Sequence, residues 1–172
     1  MRASQILSFF PILAPLTLAA PPLTTLTLSD INYSSNKIYS TPAHLATYGG
    51  YIDFNVSNSN PAVSYVAHCS ARGLHLNDFF YGELVYNCEV PDGVQSVTNF
   101  TYSTPGYRFT VNQTWVEDGK TYLAMGAGKA DLNCERTEWT NDDWEMGQIY
   151  YTENVECETG SLTIVPNVTW SC

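Results

Sequence analysis

The stretch CERTEWTNDDWEMGQIYYTENVEC, Cys134 to Cys157, concentrates seven carboxylates, two tryptophans and one arginine. Three chemistries compete for such a run. Asp142, Asp143 and Glu145 offer hard oxygen ligands to calcium. The D-x-[DN]-x-[DN]-G-x5-E loop pattern is missing, however, and acidic runs ordinarily form solvated faces. Two carboxylates across a cleft would hydrolyse glycosides. The sequence offers many pairs and singles out none; Asp53 and Glu83 are the candidates in strand regions. Trp139 and Trp144 would stack on sugars or phenolics, or would pack and anchor a long loop; packing is the expectation.

Nucleophilic chemistry finds less support. A Ser-His-Asp triad would draw on His44, His68 or His75, but no G-x-S-x-G elbow is present. Gly126-Ala127-Gly128-Lys129 resembles part of a phosphate loop, yet Ala130 stands where that motif needs a hydroxyl. There is no C-x-x-C, and His68 and Cys69, adjacent in a strand, point to opposite faces and cannot easily share a zinc ion. No catalytic constellation emerges, and neither a metal nor a cofactor is expected.

The elements that must position these residues read as strands. Ile52, Phe54 and Val56 alternate with polar neighbours, as do Val63, Tyr65, Ala67 and Cys69, then Tyr107, Phe109 and Val111. Leu123, Met125 and Ala127 alternate with Ala124 and Gly126, and Leu162 and Ile164 with Thr163 and Val165. This period of two marks half-buried strands. Turn chemistry separates them at Tyr48-Gly49-Gly50, Ser59-Asn60-Pro61, Pro91-Asp92-Gly93, Thr104-Pro105-Gly106, Glu117-Asp118-Gly119 and Thr159-Gly160. Val111 to Met125 reads as a hairpin turning at Glu117-Asp118-Gly119-Lys120. The one helical candidate is a turn around Ala71 to Phe79, with Leu74 and Asp78 four apart. The expected fold is all-β: a single-domain antiparallel sandwich or barrel.

Residues 1–20 have the layout of a secretory signal peptide: Arg2, an apolar stretch from Ile6 to Ala19, and small residues for cleavage after Ala19 or Ala20. Pro11 and Pro15 interrupt that stretch, which is short for a membrane span. Residues 21–172, about 150 in number, suit one domain with its own core. Five sequons accompany the leader, at Asn32, Asn55, Asn99, Asn112 and Asn167, and are glycosylation candidates. The formal charge is −10, or −11 once Arg2 leaves with the leader. Such a surface repels phosphate backbones, which excludes nucleic acid as a partner, and no later segment suits a membrane.

Five cysteines behind a leader are expected to pair. Spacing alone does not choose among the three connectivities of four cysteines. Cys69 and Cys88 each close a predicted strand, as do Cys134 and Cys157, which favours the two local bridges. Each would contribute about 3 kcal/mol by restricting the unfolded chain.

The run of landmarks resembles the Alternaria alternata allergen 1-like family of small secreted fungal proteins. LTLSDINYS looks like its first strand, YGGYIDFNVSN its second, and VSYVAHCSA and ELVYNCE carry the first two cysteines. FTYSTPGYRFTVNQTWVEDGKTYLAMGAGKADLNC resembles the long hairpin leading to the third, and NVECETGSLTIVP the last cysteine strand. The resemblance implies a β-barrel of mostly antiparallel strands with Cys69–Cys88 and Cys134–Cys157 bridges. It implies no enzymatic activity, and partners among host plant extracellular or defence proteins or small phenolic ligands. Two features depart from it. The family's dimer-forming cysteine near the mature N-terminus has no counterpart before Cys69, and the loop between the last two family cysteines is longer and more acidic here.

The functional expectation is thus a secreted, non-enzymatic effector, elicitor or allergen-like protein acting by binding. Its rival is a secreted carbohydrate-active enzyme or sugar-binding module on plant cell walls, which would show a coplanar row of exposed aromatics or two facing carboxylates. Cys172, the fifth cysteine, is expected outside any intramolecular bridge, either capped by a small thiol or linking a homodimer. Non-reducing gels and intact mass of wild type and Cys172→Ser test this. A covalent dimer surviving the substitution, or a new free thiol on another cysteine, would refute the assignment.

Overall fold

The computed structural model describes residues 24–43, 46–74 and 79–171. The expected leader, His44, His75, Asp78 and Cys172 lie outside them. Among the described residues eleven strands form two antiparallel sheets. The first sheet contains β1 (Leu26–Tyr39), β2 (Ala46–Asn58), β3 (Ala67–Gly73), β8 (Cys134–Thr140), β9 (Tyr151–Cys157) and β10 (Gly160–Ile164). Its order is β3-β2-β1-β9-β8, with β10 also on β1. The second contains β4 (Tyr86–Asn87), β5 (Thr98–Ser103), β6 (Arg108–Glu117), β7 (Lys120–Lys129) and β11 (Asn167–Ser171), in the order β11-β7-β6-β5-β4. The sheets are not closed into a barrel, so the sandwich is the architecture present. Among the described residues no helix is long and apolar enough to cross a membrane.

The core follows from alternation. Leu26, Leu28, Ile31 and Tyr33 of β1 and Ile52, Phe54 and Val56 of β2 point inward, onto Phe100, Tyr102, Phe109, Val111 and Ala124 of the facing sheet. The Phe54 ring meets Phe100 and Phe109 edge-on, at centroid distances of 4.8 and 5.3 Å. A fully buried polar side chain crosses the interface. Gln113 accepts from Asn58 Nδ2 (2.7 Å) and donates to Thr98 Oγ1 (3.1 Å) and the Tyr65 hydroxyl (3.4 Å), so its burial leaves no orphaned amide.

In β1 the register slips between Ser29 and Asn32, where Asp30 takes a positive φ of 55°. This bulge marks a change of neighbour. Leu26–Ile31 pairs with β10, whereas Ser34–Tyr39 pairs with β9. The extra residue re-aims the strand so that two different partners share one edge. The β6–β7 hairpin turns at Asp118 and Gly119, both at positive φ, as its two-residue loop requires.

Four expectations need correction. The alternation from Val63 to Cys69 becomes strand only at Ala67; Val63 donates to Asn60 O in the preceding turn, and Ala62 to its side chain. Gly49-Gly50 is not a turn but lies within β2, where a Cβ on Gly50 would sit 2.8–2.9 Å from the Phe80 and Phe79 rings. The helical turn around Ala71 is excluded at its start, since Ala71–Gly73 continues β3. In β7 the small residues face inward: Ala124 is buried, whereas Met125 is half exposed. Ile164 and Leu162 of β10 lie across Gly126 and Gly128, so this face has no room for the larger set.

Each disulfide joins a different pair of elements. Cys69 of β3 is bonded to Cys88 beyond β4, and the His68 and Glu89 backbones exchange two hydrogen bonds beside it (2.9 and 2.7 Å), tying the edge of one sheet to the other. Cys134 and Cys157 are directly opposed on β8 and β9, with Cα atoms 3.9 Å apart.

The close crossing of β10 over β7 gives a direct test. A Cβ at Gly126 would meet Ile164 Cγ2 at 2.5 Å and the Pro166 backbone at 3.2 Å. Gly126→Ala is expected to lower stability by about 1–3 kcal/mol through overpacking, read by chemical denaturation. Unchanged stability would contradict this contact.

Candidate functional site

The two sheets differ in reach. The inner face of β1 turns from Leu26, Leu28, Ile31 and Tyr33 to Ser35, Lys37 and Tyr39, and the latter half leaves the core. There β9 and β8 replace β10 beside it. A cleft of about 240 Å³ opens along this step, lined by Tyr33, Ser35, Lys37, Tyr48, Phe79, Tyr107, Glu153 and Val155, among others.

Lys37 is the charged centre of the cleft. Its ammonium sits 5.2 Å from the Tyr39 ring centroid and 5.4 Å from that of Tyr48. Hydrogen bonding to Tyr39 raises its pKa, against some desolvation, and the Glu153 charge adds to the rise. The Tyr33 phenol at the cleft floor is pushed up to about 12, chiefly by burial. A cation between aromatic walls, beside a carboxylate, can hold a flat ring bearing an acidic or phenolic oxygen.

The acidic stretch is not a loop throughout. Seven residues at each end pair as β8 and β9, and the turn between them carries Asp142, Asp143 and Glu145. Glu138 and Glu153 are cross-strand partners, and Arg136 neutralises both, pairing with Glu138 at 2.8 Å and with Glu153. That contact raises the Arg136 pKa. Glu135 and Glu156 are also directly opposed, and neither makes an ion pair with a described residue. Opposed like charges weaken a ladder. From Glu135 to Thr140 every β8 side chain is exposed.

The two tryptophans divide. Trp144 is the anchor expected of it: its indole N–H is shared between the carbonyls of Ser40 (3.1 Å) and Gln148 (2.8 Å). Gln148 Oε1 also accepts from Asn141 Nδ2 and Glu145 N, and Tyr150 N bonds Tyr39 O, so the tip is tied to the end of β1. Trp139 does not pack; it is 53% exposed, on an edge strand with no facing layer. Met146, 92% exposed, and Ile149 add apolar surface on the same hairpin. Sequence reasoning missed both, although an isolated Met and Ile within an acidic run was a signal.

Other candidates disperse. His68 Nε2 lies 3.0 Å from Asp53 Oδ2, which also accepts from the Tyr51 hydroxyl at 3.0 Å. This is a partly exposed pair on the outer face of the first sheet, where alternation carries Asp53 away from the core. Glu83 is on a loop after Tyr81, not in a strand. Trp115, Tyr122 and Trp170 are cross-strand neighbours on β6, β7 and β11, the order a sugar platform would need. Trp115 is nonetheless buried and stacked on Tyr122 with ring planes 10° apart, and Lys120 sits 4.4 Å from the Trp170 ring, so this row does not present a line of free ring faces. Among the described residues no three His, Cys, Asp or Glu side chains could hold a metal ion. The sequons Asn32, Asn55, Asn99, Asn112 and Asn167 all lie on strands.

The fold and this site define a small antiparallel β-sandwich, stapled by two disulfides, with an acidic hairpin standing beyond its core. The family model described as Alternaria alternata allergen 1 matches residues 30–161, well over half of the chain, and the protein belongs to that family. Comparison with curated proteins and with solved structures yields no match.

The hairpin has little core to hold it, so its staple is testable. Replacing Cys134 and Cys157 by serine is expected to abolish amide-exchange protection between residues 135 and 156 while the β2, β5 and β6 amides stay protected. Global unfolding of the sandwich in this variant would show that the hairpin is part of the core's cooperative unit.

Proposed function

We propose that this is a secreted, non-enzymatic fungal protein of the allergen type that acts by binding a host extracellular protein through its β8–β9 hairpin. The observation that carries the reading is the side-chain chemistry of that hairpin. Trp139, Met146 and Ile149 are presented to solvent on a covalently closed hairpin whose tip also exposes Asp142, Asp143 and Glu145. Exposed aromatic and Met side chains are the usual anchors of recognition, and an excess of one charge steers a partner of the opposite charge. The partner is therefore a basic protein with an apolar recess, such as a cationic defence protein of the host plant. The leader, the sequons and the disulfides support secretion, and membership of an allergen family supports binding rather than turnover.

A second, compatible reading rests on Lys37 between the rings of Tyr39 and Tyr48: the adjoining cleft takes a small phenolic ligand.

Capture from plant extracellular fluid with the secreted protein tests the first reading. Retention of a basic protein is expected, weakened about tenfold or more by Trp139→Ala with Met146→Ala, and reduced by salt. Undiminished capture by that variant would sink the hairpin as the site. Turnover of cell-wall polysaccharide by the wild type, lost on changing one carboxylate, would replace the binding reading with the enzymatic one.

A further inference from the structure

The outer face of the second sheet carries a row of amides. Register runs Asn87, Asn99, Asn112, Met125, Asn167 across β4, β5, β6, β7 and β11. Their sequence neighbours Phe100, Val111 and Ala124 are buried, so the row itself faces solvent. Three of its members open sequons, with hydroxyls at Thr101, Thr114 and Thr169. Because strand side chains alternate, each of these threonines projects from the same face as its asparagine.

We infer that this face is the glycan-bearing side of the molecule, and that Asn99 and Asn112 act as one site rather than two. They are direct cross-strand partners, about 5 Å apart. A sugar ring is about as wide as that spacing and a branched core is wider, so two glycans cannot leave the folded hairpin side by side. In the unmodified sheet Asn112 Nδ2 donates to Asn99 Oδ1 at 3.0 Å, so the two side chains are in direct contact. Asn167 is two strands from Asn112, about 10 Å away, and exposed; it carries a second glycan without conflict.

The chemistry is that of the secretory compartment, so the inference rests on the secretion proposed above. The amide nitrogen of asparagine forms a bond to the anomeric carbon of a lipid-diphosphate oligosaccharide. The bond from that carbon to the phosphate oxygen breaks, the lipid diphosphate leaves, and the nitrogen loses one proton. Transfer precedes folding; the folded sheet then discriminates among the products, because a chain bearing both glycans cannot close β5 on β6. The consequence is a shield on the outer face of one layer of the sandwich, while the hairpin, which belongs to the other, stays open.

The test is site occupancy on the full chain secreted from a glycosylating eukaryotic host, by glycopeptide mapping and intact mass before and after glycan release. Expected are one glycan on either Asn99 or Asn112 and a second on Asn167, with no molecule carrying both Asn99 and Asn112 glycans. Asn99→Gln should place that glycan on Asn112 alone and leave the number of glycans unchanged, whereas Asn99→Gln with Asn112→Gln should lower it by one. A folded molecule with both sites filled, a double variant that loses two glycans, or an empty Asn99/Asn112 pair beside glycans elsewhere overturns the inference and leaves the secretory reading intact. Absence of glycan from all five sequons overturns both.

Discussion

The inner face of β1 is apolar only as far as Tyr33. Everything distinctive in the molecule depends on that limit. Up to Tyr33 the strand contributes to a core in which Phe54, Phe100 and Phe109 interlock, and burial of such side chains contributes roughly 1.5–3 kcal/mol each. Beyond it the strand continues for six residues without a second layer able to bury it. Backbone pairing continues there, since β2 and β9 still flank β1. What the facing sheet no longer covers becomes a cleft on one side and a hairpin at the edge.

The two disulfides answer different needs. Cys69–Cys88 ties the two sheets where the short β4 gives the second sheet a weak edge. Cys134–Cys157 holds strands that hydrophobic burial does not. Glu135 opposes Glu156 and Glu138 opposes Glu153, with Arg136 relieving only the second pair. Strand β9 is held by β1, but β8 pairs with β9 alone, and a two-stranded pairing by itself is marginal in water even without such repulsion. A covalent bridge between opposed residues limits how far it opens, and so tolerates an acidic surface that selection for stability alone would have removed.

How much of this was legible in the sequence depended on whether a residue's partners were local. Ile52, Phe54 and Val56 announced a strand because their alternation is a property of the strand itself. Asp118-Gly119 announced its turn for the same reason. Gly49-Gly50 misled, because glycine marks turns and close approaches alike, and the approaching Phe79 and Phe80 are some thirty residues away. The phase of β7 was illegible on similar grounds: Ala124, Gly126 and Gly128 face inward only because β10 lies across them. Trp139 and Trp144 look equivalent in sequence. One finds the Ser40 carbonyl and becomes an anchor, whereas the other stands on an edge strand with nothing opposite. The site was legible as composition, and its geometry waited on where the core ran out.

The edge position of β8 also constrains how the hairpin can bind. An unpaired strand edge invites another strand to add to it, which gives affinity with little selectivity and a risk of aggregation. Glu135, Arg136 and Glu138 stand along this edge, all exposed. A second copy docking there antiparallel would bring carboxylates against carboxylates, in a molecule already at −10. Charge therefore blocks self-addition at the place where the backbone would allow it. A basic partner meets no such barrier, and for it the same carboxylates are attractive. The acidic residues that weaken the hairpin as a ladder thus keep it from pairing with its own kind and leave Trp139, Met146 and Ile149 accessible to a chain of opposite charge.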